Sequence, residues 1–502
     1  VSQATVEPST GRDGRHIVAI LPRGEAIRNF VYSRVLDEVA QHARVSLLSV
    51  RPNDEIWSVL QSRYSTVIEL PDIRERKLVW QVREILDMAH GRWLWSVAAQ
   101  NRWLARDSEA VSPGQRLKRA AKKLVCYPFA TRSGLNLLSK AERFASHWLR
   151  TTDAAIDLFK ALKPSLVFNG SHVHGLGALP VLQAAQSLGI PTAAFLFSWD
   201  NLTSQGRLLT RYDHYLVWNH GIRSQLLHIY PDIRPEQVSV TGTPQFDFHF
   251  NEAYYWSREE FCNRVGADPK RPIILYTTSM ARPTVGEPRL VEGIARMLRE
   301  MTEWGPPQLL VRIYPKDQTG RFDELKGRLT DVLFPHVSWE PNWLTPELDD
   351  LYVYTNTLRY TDVGINAAST VSLELCMFGK PVVNVAYNPP GEDIYPFDYP
   401  RFYEFDHYRP VARSGAIALA RDERDMARLI REALAHPRAR QSQQAALLGS
   451  MFGDTLDGAA SDRVAGTLLR IAGVAATTKV RAAQAPLASE TLTTPRSSLL
   501  GG

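Results

Sequence analysis

Residues 361–388 read TDVGINAASTVSLELCMFGKPVVNVAYN, and their pattern decides the fold class. DVGIN (362–366) is a short apolar strand ending at Asn366. Ala367, Ala368, Ser369 and Thr370 make a turn of small residues, and a helix over 370–378 follows. Gly379, with Pro381 just beyond, stops that helix. PVVNVAY (381–387) is the next apolar run. Strand, tight turn, helix, stop and strand form one winding of a parallel α/β sheet. Such a turn offers free backbone N–H groups and hydroxyls to a phosphate. Asn366, Ser369 and Thr370 are therefore candidate phosphate ligands, and Glu374, one turn into the helix, is placed to accept ribose hydroxyls. Plain N-capping by Ser369 or Thr370 is the alternative.

Outward from this stretch the same alternation repeats. HIVAIL (16–21), RVSLLSV (44–50), STVIEL (65–70), SLVFN (165–169), PTAAFLF (191–197), HYLVW (214–218) and QVSVTG (237–242) form a first series of strands. PIILYTT (272–278), QLLVRIY (308–314), DVGIN and PVVNVAY form a second. Helices are expected between them, with two more near 421–435 and 440–472. Apolar runs of this kind are buried on both faces, as parallel strands are. The layout predicts a disordered leader over 1–14, a first Rossmann-like domain over 15–250 and a second over 251–473. A disordered tail over 474–502 completes it. Ligands in such sheets bind beyond the carboxyl ends of the strands. Two facing domains bring those ends to one cleft, lined by the loops near 23–29, 170–175, 198–207, 279–282, 312–316 and 366–374.

Several loops carry further candidates. Arg23 and Gly24 follow the first strand, and His172 and His174 lie in NGSHVHG (169–175). In FSWDNLTSQGRLLTRYDHYLVWN (197–219), Asp200 is a candidate base for an acceptor hydroxyl, with Asn201 and Arg207 beside it. A turn capped by Asp200 or Asn201 is the plain alternative. A two-residue His spacing without carboxylate partners is weak as a metal signal, and no metal site is expected.

The 361–388 stretch resembles the C-terminal domain signature of GT-B glycosyltransferases: strand, Ser/Thr- or Gly-rich turn, helix with Glu, then Gly-Lys-Pro-Val. VTGTPQFD (240–247) resembles the element closing the N-terminal domain in those families, including the UDP-GlcNAc 2-epimerase-like and CDP-glycerol phosphotransferase-like branches. LLVRIYPKD (309–317) resembles their Arg-x-His-Pro element, with Tyr314 in place of the His. Where the phosphotransferase-like branch carries a catalytic His in a Trp-His-Gly-Thr run, this chain has Ser198-Trp199-Asp200-Asn201. The resemblance covers roughly 16–50 and 160–440. It implies a nucleotide-sugar donor on the C-terminal domain, held by Gly242, Ser279, Arg312, Lys316, Asn366, Ser369, Thr370 and Glu374. It implies an acceptor on the N-terminal one, near Arg23, Gly24, His172, Asn201 and Arg207. Asp200 and His174 are the catalytic candidates.

Charge singles out another segment. The chain of 502 residues has net charge +6, but residues 74–150 hold 16 Lys and Arg against 6 Asp and Glu, so the remainder is negative. Five of the twelve tryptophans fall there: Trp80, Trp93, Trp95, Trp103 and Trp148. Trp95, Ala99 and Trp103 are spaced to share one helical face. QRLKRAAKKLVCYPF places Arg116, Lys118, Arg119, Lys122 and Lys123 beside Leu124, Val125, Tyr127 and Phe129. We expect a helical insertion over about 72–150. Its basic and aromatic residues suit an anionic membrane surface, and an ordinary subdomain with a solvated basic face is the alternative. No nucleic-acid signature accompanies it.

Other classes are excluded by what is missing. GxxxxGK[ST] is absent, as is GxGxxG after the first strand. No Asp-x-Asp stands in a strand–loop context, which speaks against a metal-dependent GT-A transferase. Three distant cysteines and no Cys-x-x-Cys fit a reducing compartment. No apolar run of 18 residues exists, and the first 15 residues have no signal-peptide core. The expectation is a cytoplasmic enzyme, peripheral on the inner face of the cell membrane. It would transfer a sugar from a UDP-, GDP- or CMP-linked donor to a glycan or lipid-linked acceptor in bacterial surface-polysaccharide synthesis, without metal or resident cofactor. The competing readings are a glycerol- or ribitol-phosphate transferase, a nucleotide-sugar 2-epimerase and a non-catalytic scaffold.

Overall fold

Each expected strand is present, and the strands assemble into two parallel sheets. The computed structural model describes residues 14–71, 76–149, 152–173, 177–204, 206–303, 305–391 and 397–474. The leader and tail lie outside these, apart from Gly14 and Val474. In the first lobe the strands are β1 (His16–Leu21), β2 (Arg44–Ser49), β3 (Thr66–Glu69), β4 (Leu166–Asn169), β5 (Thr192–Phe195), β6 (His214–Val217) and β7 (Val238–Val240). Their order across the sheet is β3-β2-β1-β4-β5-β6-β7. β1 is buried along its whole length, as a central strand covered on both faces must be.

The second lobe holds β8 (Ile273–Thr277), β9 (Gln308–Arg312), β10 (Val332–Leu333), a small antiparallel pair β11 (Trp339–Glu340) and β12 (Thr345–Pro346), then β13 (Val363–Asn366), β14 (Val382–Val385) and β15 (Ala418–Ala420). Its sheet runs β10-β9-β8-β13-β14-β15. Both sheets reverse their winding at the centre, β1/β4 in one and β8/β13 in the other. β10, β11 and β12 are two residues long and β15 is a three-residue Ala-rich strand, so none carries an apolar run that the sequence pattern registers.

The expected helix over 440–472 is two helices, Gln441–Phe452 and Ala460–Ile471. Gly453 and Gly458 take left-handed φ of 58° and 78°, which breaks the run. The final helix returns to the first lobe. It packs on the helices Val35–His42 and Pro244–Phe250, and Arg470 donates to Ser239 in β7 at 3.2 Å. Asp247 caps its start, accepting from the amides of Ala460 (3.1 Å) and Ser461 (2.7 Å).

The insertion between β3 and β4 is helical: Lys77–Leu94, Val97–Ser108, Pro113–Cys126 and Arg132–Trp148. It has a small core of Met88, Ala89, Trp103 and Cys126. Trp95 and Trp103 do not share one helix as the spacing suggests. Trp95 ends the first helix with φ 44°, and Ser96 caps the second by accepting from the Ala99 amide at 3.1 Å. The two indoles still meet edge to face, 5.7 Å apart. No described helix is long and apolar enough to cross a membrane.

Candidate functional site

The loop after β1 and the turn after β13, each at a winding reversal, contact the opposite lobe. After β1, a short helical turn (Gly24–Ile27) runs into a π-helical turn (Arg28–Tyr32). Gly24 donates its amide to the Trp343 carbonyl of the other lobe at 2.9 Å. A Cβ on Gly24 would stand 2.0 Å from Thr345 Oγ1 and 2.3 Å from its Cα, so the glycine is required by the contact between lobes. Glu25 carries a second contact, to Lys316 at 2.6 Å, and also pairs with Arg23 at 3.1 Å. Lys316 and Arg23, placed by sequence on donor and acceptor sides, thus converge on one carboxylate.

A third contact joins the loop after β5 to the turn after β13. Trp199 Nε1 donates to Thr370 Oγ1 at 3.0 Å, and the Trp199 ring packs against His407 and Tyr408. Beside it Asp200 accepts from the Ser204 hydroxyl. Burial alone would raise the Asp200 carboxyl; the opposing His407 and hydrogen bonds from Ser198 and Ser204 outweigh it and hold the group below the usual range. Asn201 accepts the Ser198 amide at 2.7 Å, which fixes the tight turn. His407 follows no recognisable pattern, and nothing in the sequence marks it.

In the turn after β13, Asn366 Oδ1 accepts from the Ser369 amide (3.2 Å) and the Ser372 hydroxyl (3.0 Å). Ser372 continues to Asn384 and Tyr408. The buried Asn366 Nδ2 has no partner among the described residues. Ala368 is held at φ 47°, a left-handed value costly for a side-chain residue. Ser369 Oγ accepts weakly from the Val371 amide at 3.3 Å, whereas Thr370 makes no such cap. Glu374 is buried, with one oxygen on His249 Nε2 (3.0 Å) and the other on the Tyr354 hydroxyl (2.6 Å). Burial pushes its carboxyl up, but His249, Tyr354 and the Arg28 charge prevail and keep it below the ordinary value.

Arg312 sits behind this turn in a buried pair with Asp350 at 2.6 Å, over the Tyr354 ring. Its Nη1 is buried without a partner among the described residues. Ser279 follows β8, and its amide is held by the fully buried Glu287. Glu287 also accepts from Thr284 and Arg321, and burial lifts its carboxyl to about 6. Arg321 in turn pairs with Asp317. The sequence pattern does not reveal this knot because Glu287 lies 34 residues before Arg321.

Other candidates stand elsewhere. Gly242 has φ 79°, and its would-be Cβ meets the Thr455 carbonyl at 2.8 Å, so it admits the returning chain. His172 is buried, its Nδ1 3.3 Å from the Phe195 carbonyl. His174 lies outside the described residues. Arg207 donates to Asp87 (2.7 Å) and to Glu142 (3.3 Å), which Arg83 also holds. It is thus an anchor of the insertion. The insertion reaches over the cleft edge as well. Ser96 donates to the Thr203 carbonyl, and Glu109 and Gln100 receive Arg282 and Arg401 of the second lobe. Among the described residues no group of three His, Cys, Asp or Glu could hold a metal ion.

No protein-family model matches the chain, and no curated protein does. Solved structures do. A UDP-N-acetylglucosamine 2-epimerase superposes with a TM-score of 0.52 at 13% identity, covering 94% of this chain and 100% of its own. A UDP-GlcNAc 2-epimerase from Neisseria meningitidis bound to UDP-GlcNAc gives 0.51 at 12%, covering 91% and 100%. A UDP co-structure of MnaA from S. aureus gives 0.50 at 13%, covering 92% and 98%. Identity this low speaks for the fold alone. The chain has the GT-B fold, two Rossmann-like lobes facing each other, with a helical insertion in the first.

Proposed function

We propose that the chain is a nucleotide-sugar-dependent glycosyltransferase with its site between the lobes. The observation that carries this reading is that the loop after β1 and the turn after β13, each at a winding reversal, touch the opposite lobe at Glu25–Lys316 and Thr370–Trp199. That is where doubly wound sheets take nucleotides. Buried donors without partners, Arg312 Nη1 and Asn366 Nδ2, suit an anionic ligand beside this junction. In the proposed reaction the acceptor oxygen bonds to the anomeric carbon and its proton passes to Asp200. The sugar–phosphate C–O bond breaks, and its electron pair leaves with the nucleotide, whose charge Ser369, Thr370 and Lys316 would meet. Glycan or lipid-linked acceptors of surface-polysaccharide synthesis fit this reading. No metal or resident cofactor is invoked.

A second reading, nucleotide-sugar 2-epimerase, is favoured by the fold neighbours named above, one bound to UDP-GlcNAc and one to UDP. The two separate cleanly. Thermal shift against UDP-, GDP-, CMP- and CDP-linked sugars would identify the donor. NMR of that donor in D2O without acceptor then decides: inversion at carbon 2 with deuterium uptake makes the protein an epimerase. Sugar transfer only when an acceptor is added supports the transferase. Binding of none of the donors overturns both.

A further inference from the structure

The insertion contains helices whose apolar sides face outward. Pro113–Cys126 begins with a full capping box, in which Ser112 accepts from the Gln115 amide at 3.2 Å and the Gln115 side chain returns to the Ser112 amide. Its charged side then turns toward the protein. Arg119 (2.9 Å) and Lys123 (2.6 Å) share Asp107, and Lys122 pairs with Glu84. Arg119 and Lys123 also cover the buried Trp103 ring. Three of the five cations expected at the surface are therefore used inside the fold. On the opposite side, Leu117 (73% exposed) and Leu124 (75%) follow helical spacing into solvent.

The next helix, Arg132–Trp148, repeats the arrangement. Leu137, Phe144 and Trp148 stand at i, i+7 and i+11, each at least 60% exposed, and the last two rings are 5.6 Å apart. An amphipathic helix on a free-standing surface does the reverse, and apolar stripes of this size mark a contact face.

We propose that this face docks on an anionic lipid bilayer. Residues 113–148 contain eight Lys and Arg and a single acid, Glu142, which is buried between Arg83 and Arg207. The outward cations interleave with the apolar groups: Lys118 adjoins Leu117, and Lys140 and Arg143 flank Phe144, all exposed. A two-fold dimer through this face would oppose like charge to like, whereas acidic headgroups complement it and the apolar side chains enter the boundary below. The inference does not depend on what the cleft transfers.

The test is co-sedimentation of the full chain with vesicles of phosphatidylglycerol and phosphatidylcholine, against phosphatidylcholine alone. The wild type should bind only the acidic vesicles. High salt should release it as the Debye length falls from about 8 Å to about 3 Å. Leu117→Ser with Leu124→Ser, and Phe144→Ser with Trp148→Ser, should each lower the partition coefficient about tenfold. Lys118→Glu with Lys140→Glu should do the same, and neither side chain makes a hydrogen bond or ion pair among the described residues, so folding is not at issue. Failure of the wild type to bind acidic vesicles at low salt overturns the proposal. So does wild-type binding by all three variants, or a concentration-dependent dimer in sedimentation velocity that these variants dissolve.

Discussion

Trp199 and Thr370 belong to different lobes and share one hydrogen bond of 3.0 Å, from the indole N–H to the threonine hydroxyl. The bond holds the loop after β5 against the turn after β13. It takes a lone pair of that hydroxyl and leaves the O–H free to donate to the proposed donor phosphate. Trp199→Phe keeps a ring against His407 and Tyr408 but removes the N–H. Losing such a bond costs about 0.5–1.5 kcal/mol. Because the bond orients the Thr370 hydroxyl, calorimetry with UDP should show affinity lowered by up to roughly tenfold. Unchanged or tighter UDP binding would mean that the bond does not position Thr370 for the nucleotide.

Ser369→Ala combined with Thr370→Ala should raise the donor KM strongly while costing no more thermal stability than the lost Trp199 bond. The Ser369 cap is long, at 3.3 Å, and Thr370 makes none. Hydrogen bonds to a charged phosphate contribute about 1.5–3 kcal/mol each. A Tm several degrees lower with unchanged donor KM would assign both residues to capping alone.

Arg207→Ala should be among the most destabilising single changes in the chain. It leaves Glu142 with Arg83 alone and Asp87 without its cation, both within the insertion. Breaking a buried ion pair from one side costs about 3–5 kcal/mol. Urea unfolding should show the loss, and hydrogen exchange should place the first loosening in Lys77–Leu94 and Arg132–Trp148.

Asp247 sets a pH dependence. Burial pushes its carboxyl up to about 6 in the fold, from an ordinary 3.8. Between about pH 4 and 6 the native state keeps a proton that the unfolded chain has released. Stability from this group is thus greatest at the acid end and falls as pH rises through that window. Asp247→Asn cannot titrate, so chemical unfolding measured across the window should show a flatter slope than the wild type.

Transferase activity should survive EDTA. The expectation rests on the missing Asp-x-Asp and on Lys316, Ser369 and Thr370 as groups for the leaving nucleotide. Loss with chelator, restored by Mn²⁺ or Mg²⁺, would replace this mechanism with a metal-assisted one.

The fold was legible because buried parallel strands announce themselves as unbroken apolar runs between helix signals, as HIVAIL and DVGIN do. Contacts across the lobes were less so. Gly24 reads as an ordinary loop glycine, and only its approach to Thr345 shows what it admits. Arg207 sits in a loop at a strand end, the position of a ligand contact, yet its partners Asp87 and Glu142 lie at least 65 residues away in the chain. Charge patterning located the insertion as basic. It left open which cations are spent inside, because Arg119 and Lys123 alternate along the sequence with Lys118, whose side chain points outward.

The returning helix Ala460–Ile471 has a consequence for how the protein is made. It covers the helix Val35–His42 with residues synthesised more than four hundred positions later. Domains ordinarily fold in the order of their synthesis. Here the first lobe stays uncapped on that side until the second lobe has been made, and Asp247 waits more than two hundred residues for the amides it caps. Completion of the first lobe is thereby tied to synthesis of the second, so a product truncated before Ala460 exposes apolar surface on a lobe whose own strands are intact.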